Sequence, residues 1–204
     1  MGDRETGSEW SHILGEALAG KMKGTTLEII PSVMTNWGAW LSEHPDTTAT
    51  MISKTATEFT TEMIREHPEG FGLGLVHDGK ARFWRFDRLA AVPVVNDRAQ
   101  DLEMVVYYDA SKHTPYAWER TISVDASADA SADASVATPM VLEFVATDTG
   151  VRDKQTDSLW DLKRGLATNG KLKGQQLRPV PAIVSYTAAW ERFHPESANW
   201  KLEP

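Results

Sequence analysis

The sequence predicts an α+β fold, mainly an antiparallel β sheet or barrel with a few short helices, with an internal half-repeat at 3–47 and 153–197. Two observations carry this prediction. The octapeptide DRETGSEW, which begins at residue 3, comes back as DKQTDSLW at residue 153. The middle of the chain alternates apolar runs with turn residues, as β strands do, and helical spacing is confined to short segments.

The alignment of the two copies runs without a gap from the octapeptide to a shared His-Pro dipeptide. Chance alone gives only about three identities over such a span at ordinary residue usage. A constant offset with no gap therefore indicates an internal repeat. The identical residues include Asp3/Asp153, Thr6/Thr156, Ser8/Ser158, Trp10/Trp160, Gly20/Gly170, Lys21/Lys171, Leu27/Leu177, Pro31/Pro181, Trp40/Trp190 and His44/His194.

Each copy has the same predicted plan. The DxxTxSxW motif predicts a turn, because Asp, Thr and Ser side chains bond to their own backbone, and then a strand. Glycines punctuate the following GxAxxGKxKG segment, which predicts a hairpin or a tight loop. LEIIP and LRPVP predict a short strand closed by proline. A short helix capped by Ser or Thr and ended by His-Pro completes the copy.

Between the copies, apolar residues at 52, 56, 59 and 63 have helical spacing and predict an amphipathic helix over 48–66, although its threonines leave a strand open at its start. From residue 71 the pattern is β, with a hairpin that turns at Asp78-Gly79 and strands at 101–109, 114–124 and 139–147. The acidic DAS-rich tract 125–138 has no bulky apolar residue and predicts a mobile loop.

The domain organisation follows from these segments. Residues 1–47 are expected to be the C-terminal half of a first repeat unit, 48–70 a helical connector, and 71–204 a complete second unit. The half-unit is expected to pack on the second copy with approximate two-fold symmetry or to drive dimerisation, because it exposes surfaces that a first unit covers.

Composition excludes several classes of function. The formal net charge is −8, so we expect no nucleic-acid partner and no anionic membrane surface. No window approaches 18 apolar residues, so no membrane insertion is expected. The chain has no cysteine, which excludes disulfides and thiolate chemistry within it. No signal peptide is visible at its start, and the compartment stays open because an export signal upstream is conceivable for a fragment.

Several runs resemble the family of domain of unknown function 3179, among them VHDGKARFWRFDRL, PVVND, MVVYYD and DKQTDSLWDLKRGLATNGKLKGQQLRPVP. The resemblance implies one whole unit at 71–197 and the second half of a preceding unit at 3–47, in a family built of tandem units. The family has a Cys-x-x-Cys run after a tyrosine in its first unit. The matching stretch here, VVYYDASKHTPYAWER, has Tyr107, Tyr108, Ser111 and His113 but no cysteine. Redox chemistry therefore does not carry over to these residues.

Two hypotheses remain. The first is a non-catalytic β-rich module that binds a ligand or serves as the structural half of a larger protein. The second is a redox-associated protein or other enzyme whose reactive unit is missing here. A carboxylate, hydroxyls and an indole can orient a small polar ligand. The predicted ligand-binding residues are Asp153, Thr156, Ser158, Trp160, Tyr107 and His113.

The histidines suggest no strong metal site. His44, His67 and His194 precede prolines at predicted helix ends, where a helix C-terminus favours them. His77, Asp78 and His113 form a metal site only if the fold brings them together. No catalytic residue and no cofactor is assigned, and the expected partners are a small polar ligand or a second copy of the chain.

Overall fold

The computed structural model describes residues 1–48, 61–124 and 138–201. The predicted acidic loop 125–138 therefore lies outside the described residues, apart from its last position. Most of the predicted helix 48–66 also lies outside them.

Four short helices lie between the strands of the described chain. They are α1 (Trp37–Glu43), α2 (Thr61–Glu66), α3 (Phe86–Ala91) and α4 (Thr187–Phe193), with a 3-10 turn at Pro68–Gly70. None of these helices is long or apolar enough to cross a bilayer, within the part of the chain that the structure describes.

The strands are short and mostly follow one another along the chain. They are β1 (Glu9–Ser11), β2 (Glu16–Ala19), β3 (Phe71–His77), β4 (Lys80–Arg85), β5 (Val94–Ala99), β6 (Leu102–Asp109), β7 (Thr114–Glu119), β8 (Thr121–Val124), β9 (Thr138–Val141), β10 (Phe144–Thr147), β11 (Gly150–Asp153), β12 (Leu159–Asp161), β13 (Leu166–Asn169), β14 (Ile183–Tyr186) and β15 (Ala198–Asn199).

The strands form several small sheets rather than a closed barrel, among the residues described. Two sheets have four strands, in the orders β10-β11-β12-β13 and β14-β3-β4-β15. A third has the order β5-β6-β7, and the pairs β1-β2 and β8-β9 stand alone. Every pairing is antiparallel except that of β15 with β4. The predicted α+β class is confirmed. The sequence left open whether the strands form a sheet or a barrel, and the structure has open sheets.

The predicted β hairpin is confirmed. β3 and β4 pair from Gly72↔Arg85 to His77↔Lys80. Asp78 and Gly79 form the turn with φ of +46° and +68°, the left-handed conformation that a two-residue hairpin turn requires.

The two helices predicted at the ends of the copies are also confirmed, and each ends at the histidine of His-Pro. Their caps differ from the prediction. Asn36 caps α1 by accepting from the Ala39 backbone N–H at 2.8 Å. Tyr186 stands at the same position before α4 without a side-chain cap bond. Ser32 and Ser185 therefore lie too early in the chain to cap these helices.

Other strand predictions were wrong in detail. LEIIP forms no strand, and LRPVP has only the isolated bridge between Pro179 and Trp118, because proline removes the donor that a ladder needs. The predicted strand 114–124 is two strands, because its pairing partner changes at Arg120: β7 pairs with β6, whereas β8 pairs with β9. The predicted strand 139–147 is likewise split between β9 and β10. The helix α3 and the strand β5 were not predicted.

Two apolar clusters form the core of the second unit. The first joins β3, β4, α3, β5 and β6, with Trp84 and Phe86 fully buried. The second joins the β10–β13 sheet to the other face of β6, with Trp160 and Phe144 edge to face at 5.5 Å. β6 therefore has one face in each cluster, which follows from the alternation of side chains along a strand.

Candidate functional site

Four of the six predicted ligand-binding residues form one closed hydrogen-bond network. Asp153 Oδ1 accepts from the Thr156 backbone N–H at 2.6 Å, and Oδ2 accepts from Thr156 Oγ1 and from Trp160 Nε1, both at 2.9 Å. Thr156 Oγ1 and Ser158 Oγ lie 2.7 Å apart. Asp153, Ser158 and Trp160 are at most 4% exposed. These polar atoms bond to one another, and their contact with a ligand stays a prediction.

The first copy has the same network. Asp3 accepts from the Thr6 backbone N–H and Oγ1, both at 2.6 Å, and from Trp10 Nε1 at 2.9 Å. Thr6 Oγ1 and Ser8 Oγ lie 2.6 Å apart. Hydrogen bonds from Thr6 and then Trp10 hold the pKa of the Asp3 carboxyl well below its usual range. DxxTxSxW is therefore a motif that ties a turn to the strand after it.

The serine of the motif also fixes the glycine-rich turn. Ser158 Oγ accepts from the Leu172 backbone N–H at 3.1 Å, and Ser8 Oγ accepts from Met22 at 3.0 Å. Gly170 has φ of +92°, and a Cβ there would lie 2.7 Å from Ser158 Cα. Only glycine lets the turn approach the serine this closely, so the GKxKG segment is a packed turn in both copies.

The remaining two predicted residues lie on the hairpin of β6 and β7. The Tyr107 ring stacks on Tyr116, with centroids 6.0 Å apart, and is half-buried against the second cluster. His113 lies in the turn with φ of +52°, and its Nδ1 is 3.4 Å from the Tyr108 hydroxyl. Burial, and then the charge of Asp109, raises the pKa of Tyr108 to about 12.

His77, Asp78 and Asp101 come together where two hairpin turns meet. His77 Nε2 lies 2.8 Å from Asp101 Oδ1 and 4.0 Å from Asp78 Oδ2. The hydrogen bond from His77 lowers the pKa of the exposed Asp101. His113 lies beyond the other end of β6 from Asp101, about 26 Å along an eight-residue strand. The set His77, Asp78 and His113 is therefore not brought together, and the hydrogen bond between His77 and Asp101 accounts for the contact that is present.

A cleft lies between the segment 31–44 of the first copy and the second unit. Its polar part has a volume of about 540 Å³, and an adjoining apolar part has about 430 Å³. Both parts share Val33, Trp40 and Tyr116. The polar part is completed by Thr35, Ala39, Glu43, His44, Lys163 and Arg164.

Lys163 of the cleft pairs with the buried carboxylate of Asp109. Lys163 Nζ is 2.7 Å from Asp109 Oδ2, and Ser111 donates to Oδ1 from its backbone N–H at 3.0 Å and from its hydroxyl at 2.6 Å. Burial raises the pKa of Asp109, but the hydrogen bonds from Lys163 and Ser111 outweigh it, so the net pKa shift is downward. The bond to Asp109 raises the pKa of Lys163.

Aromatic faces and unpaired charges line the rest of the cleft. Burial, and then the charges of Glu43 and Asp109, raises the pKa of Tyr116 above its ordinary value, so it stays a neutral hydroxyl. Trp40 is 37% exposed. Neither the Glu43 carboxylate nor the Arg164 guanidinium has an ion-pair partner within the described residues. This arrangement can stack a flat ring and hydrogen-bond its polar edge.

Sequence reasoning did not find this cleft. The Tyr116-x-Trp118 alternation on β7 was the one local signal, since it places two aromatic side chains on one face of a strand. Nothing in the sequence places the 31–44 segment over β7. That placement is a tertiary contact, marked by a 3.1 Å hydrogen bond between Thr114 Oγ1 and Thr35 Oγ1.

Comparison with known proteins gives one match. A family model described as a protein of unknown function (DUF3179) matches residues 1–61 and again residues 59–197. No curated protein and no solved structure matches the chain. The two matches correspond to the half-unit and to the complete unit. With nearly its whole length matched, the chain belongs to the family of proteins of unknown function DUF3179.

Proposed function

We propose that the chain is a non-catalytic ligand-binding module, and that the cleft between its two copies binds a small polar ligand with one flat face. The observation that carries the proposal is the lining of the cleft. Trp40 and Tyr116 offer aromatic faces, while Glu43 and Arg164 offer hydrogen-bonding charges without an ion-pair partner in the described chain. A cavity of about 540 Å³ has the size of a site for a small molecule.

The positions of the predicted residues support a module rather than an enzyme. Trp160 is buried in a cluster, and His113 lies in a hairpin turn. The Ser158 hydroxyl is fully buried and holds a turn, so it has no access to a substrate. The alternative, a redox-associated protein whose reactive cysteines lie in a first unit outside this chain, rests on the family resemblance alone.

The polar lining favours one ligand class for the first test. A pyranose ring has an apolar face that stacks on an indole and hydroxyls that bond to carboxylate and guanidinium groups. A uronic acid adds a carboxylate that matches Arg164. We therefore expect a sugar acid to bind more tightly than the neutral sugar of the same ring.

The test is a titration of the full chain with glucuronate and with glucose, followed by tryptophan fluorescence and calorimetry. Binding of glucuronate that weakens at least tenfold in Arg164→Met and in Tyr116→Leu supports the proposal. Arg4→Met is the matched control, because Arg4 is exposed in the first turn and does not line the cleft. Equal binding by Arg164→Met and Arg4→Met, or no binding of either sugar, contradicts it.

A homodimer is the second partner that the sequence predicts. The observation that favours it is a group of exposed apolar side chains on the first copy. A second chain is one of the competing occupants of that surface.

A further inference from the structure

The first copy presents an apolar surface that we name the open face. Its side chains are between about a third and three quarters exposed, and Ile30 reaches 76%. Exposed contiguous apolar patches on soluble proteins usually mark binding surfaces. The open face consists of Leu18, Met22, Leu27, Ile30, Trp37 and Trp40.

The second copy buries the equivalents of four of these six residues, which are Leu172, Leu177, Val180 and Trp190, whereas Thr168 is exposed and Thr187 is half-buried. Leu27 is 56% exposed, whereas Leu177 is 1% exposed. Trp40 is 37% exposed, whereas Trp190 is 1% exposed. The residue types are identical at both pairs, so the difference comes from what lies over them and not from the side chains themselves.

The structure shows that two different parts of the second unit cover these positions. Leu172 and Leu177 lie in the second cluster, with residues of β6, β10 and β12, whereas Val180 lies in the first cluster with residues of β3 and β4.

The β3–β4 hairpin adds β3 to β14, with Ile183 opposite Gly74 and Tyr186 opposite Phe71. Trp190 packs on this hairpin. Its ring stacks on Phe83 at 5.4 Å, and it lies so close to Gly74 that a Cβ there would be 2.2 Å from the ring.

The first copy has the same helix that packs on the β3–β4 hairpin in the second copy. Trp40, like Trp190, donates its indole N–H to a hydroxyl seven residues on, to Thr47 at 2.9 Å and to Ser197 at 2.8 Å. The backbone equivalent to β14, residues 33–36, forms no strand in the described structure. Its backbone groups can therefore pair with an added strand, and the exposed apolar side chains beside it can pack against that strand.

We infer that the open face is the docking site of a β hairpin with the chemistry of Phe71–Arg85, supplied by a first repeat unit of the same family. The required features are a glycine equivalent to Gly74 on one strand, which leaves room for the Trp40 ring, and an aromatic residue equivalent to Phe83 on the second strand, which stacks on it. The docking adds a strand to residues 33–36 and buries Ile30, because the equivalent Val180 lies with residues of β3 and β4 in the first cluster.

The experiment uses a fusion protein in which a duplicate of residues 61–150 precedes Met1. Equivalent residues of the duplicate and of the parent chain are then 150 positions apart, as they are in the two repeats. Hydrogen exchange of peptides from residues 27–41 is compared in this fusion and in the unmodified chain. We expect at least tenfold slower exchange in the fusion. The matched control carries Gly74→Leu in the added copy only, which blocks the seat of the Trp40 ring, and is expected to exchange like the unmodified chain.

A second arm keeps the test decisive if the fusion folds poorly. A synthetic peptide of residues 71–85 is titrated into the unmodified chain, beside the same peptide with Gly74→Leu. Protection of residues 27–41 by the first peptide and not by the second supports the inference. The inference is overturned if residues 27–41 exchange equally fast in the fusion, in the presence of the peptide and in the unmodified chain alone. A native mass of two chains with residues 27–41 already protected also overturns it, because a second copy then occupies the open face.

Discussion

At the scale of single residues, the aspartate that begins each DxxTxSxW motif has one role in both copies. It accepts from the backbone and hydroxyl of the threonine and from the indole of the tryptophan. The sequence predicted that the motif opens as a turn, because these residue types bond to their own backbone. It could not predict that the same bonds occupy the groups assigned to a ligand, since that depends on the burial of Trp160.

Replacing Asp153 by Asn tests the role of this network. An amide cannot accept at both positions, so one donor from Thr156 or Trp160 loses its partner in a buried place. We expect the free energy of unfolding to fall by roughly 2–4 kcal/mol, measured by urea denaturation. Asp3→Asn is the matched control and is expected to cost less, because the first network is more exposed. Equal losses in both variants would contradict this account.

His194 predicts a pH dependence of stability. Burial lowers its pKa, and its Nε2 has no hydrogen-bond partner among the described residues. The folded state therefore favours the neutral ring. The resulting stability is present above the unfolded pKa of about 6.5 and is lost as pH falls below it.

The measurement is the free energy of unfolding at pH 7.5 and at pH 5.0. We expect the free energy of unfolding to fall less between pH 7.5 and pH 5.0 in His194→Gln than in the parent chain. His12→Gln, at an exposed histidine, should leave the loss unchanged. An unchanged acid loss in His194→Gln would show that this ring does not titrate as described.

At the scale of elements, the predictions that succeeded rest on local chemistry. The Asp78-Gly79 hairpin and the His-Pro helix ends were predictable because turn and proline geometry is fixed within a few residues. The α3 helix and the division of the strand 114–124 were not. They depend on distant partners, such as β9, with which the chain pairs after Arg120 in place of β6.

The contact between β3 and α4 is tested by Gly74→Ala. The new Cβ would lie 2.2 Å from the Trp190 ring. This ring is 1% exposed and stacks on the Phe83 ring, so it has little room to move away. Such overpacking is expected to lower the free energy of unfolding by about 2–3 kcal/mol.

Gly70→Ala is the matched control for this substitution, because no atom lies within 4 Å of a Cβ built there. It is expected to change stability by less than about 0.5 kcal/mol. Thermal and urea denaturation of both variants decide the matter. A Gly74→Ala variant as stable as the control would mean that Trp190 does not rest on β3.

At the scale of the whole molecule, the two copies differ in what surrounds them. Among the described residues, the second copy packs into the two apolar clusters of the second unit, whereas the first copy lines a cleft with that unit. The motifs that the two copies share were predictable from the sequence, and the boundaries of the units stay a prediction. The cleft and the open face were not predictable, because both depend on where the 31–44 segment lies against β7.

Hydrogen exchange of the two copies in the monomeric chain is the most direct measurement of this asymmetry. The central claim is that one copy is covered and the other is not, although their motifs are the same. We expect the amides of residues 27–41 to exchange roughly 100-fold faster than those of residues 177–191, because uncovered segments open at low free energy. Equal protection of the two segments in a single chain would contradict the account.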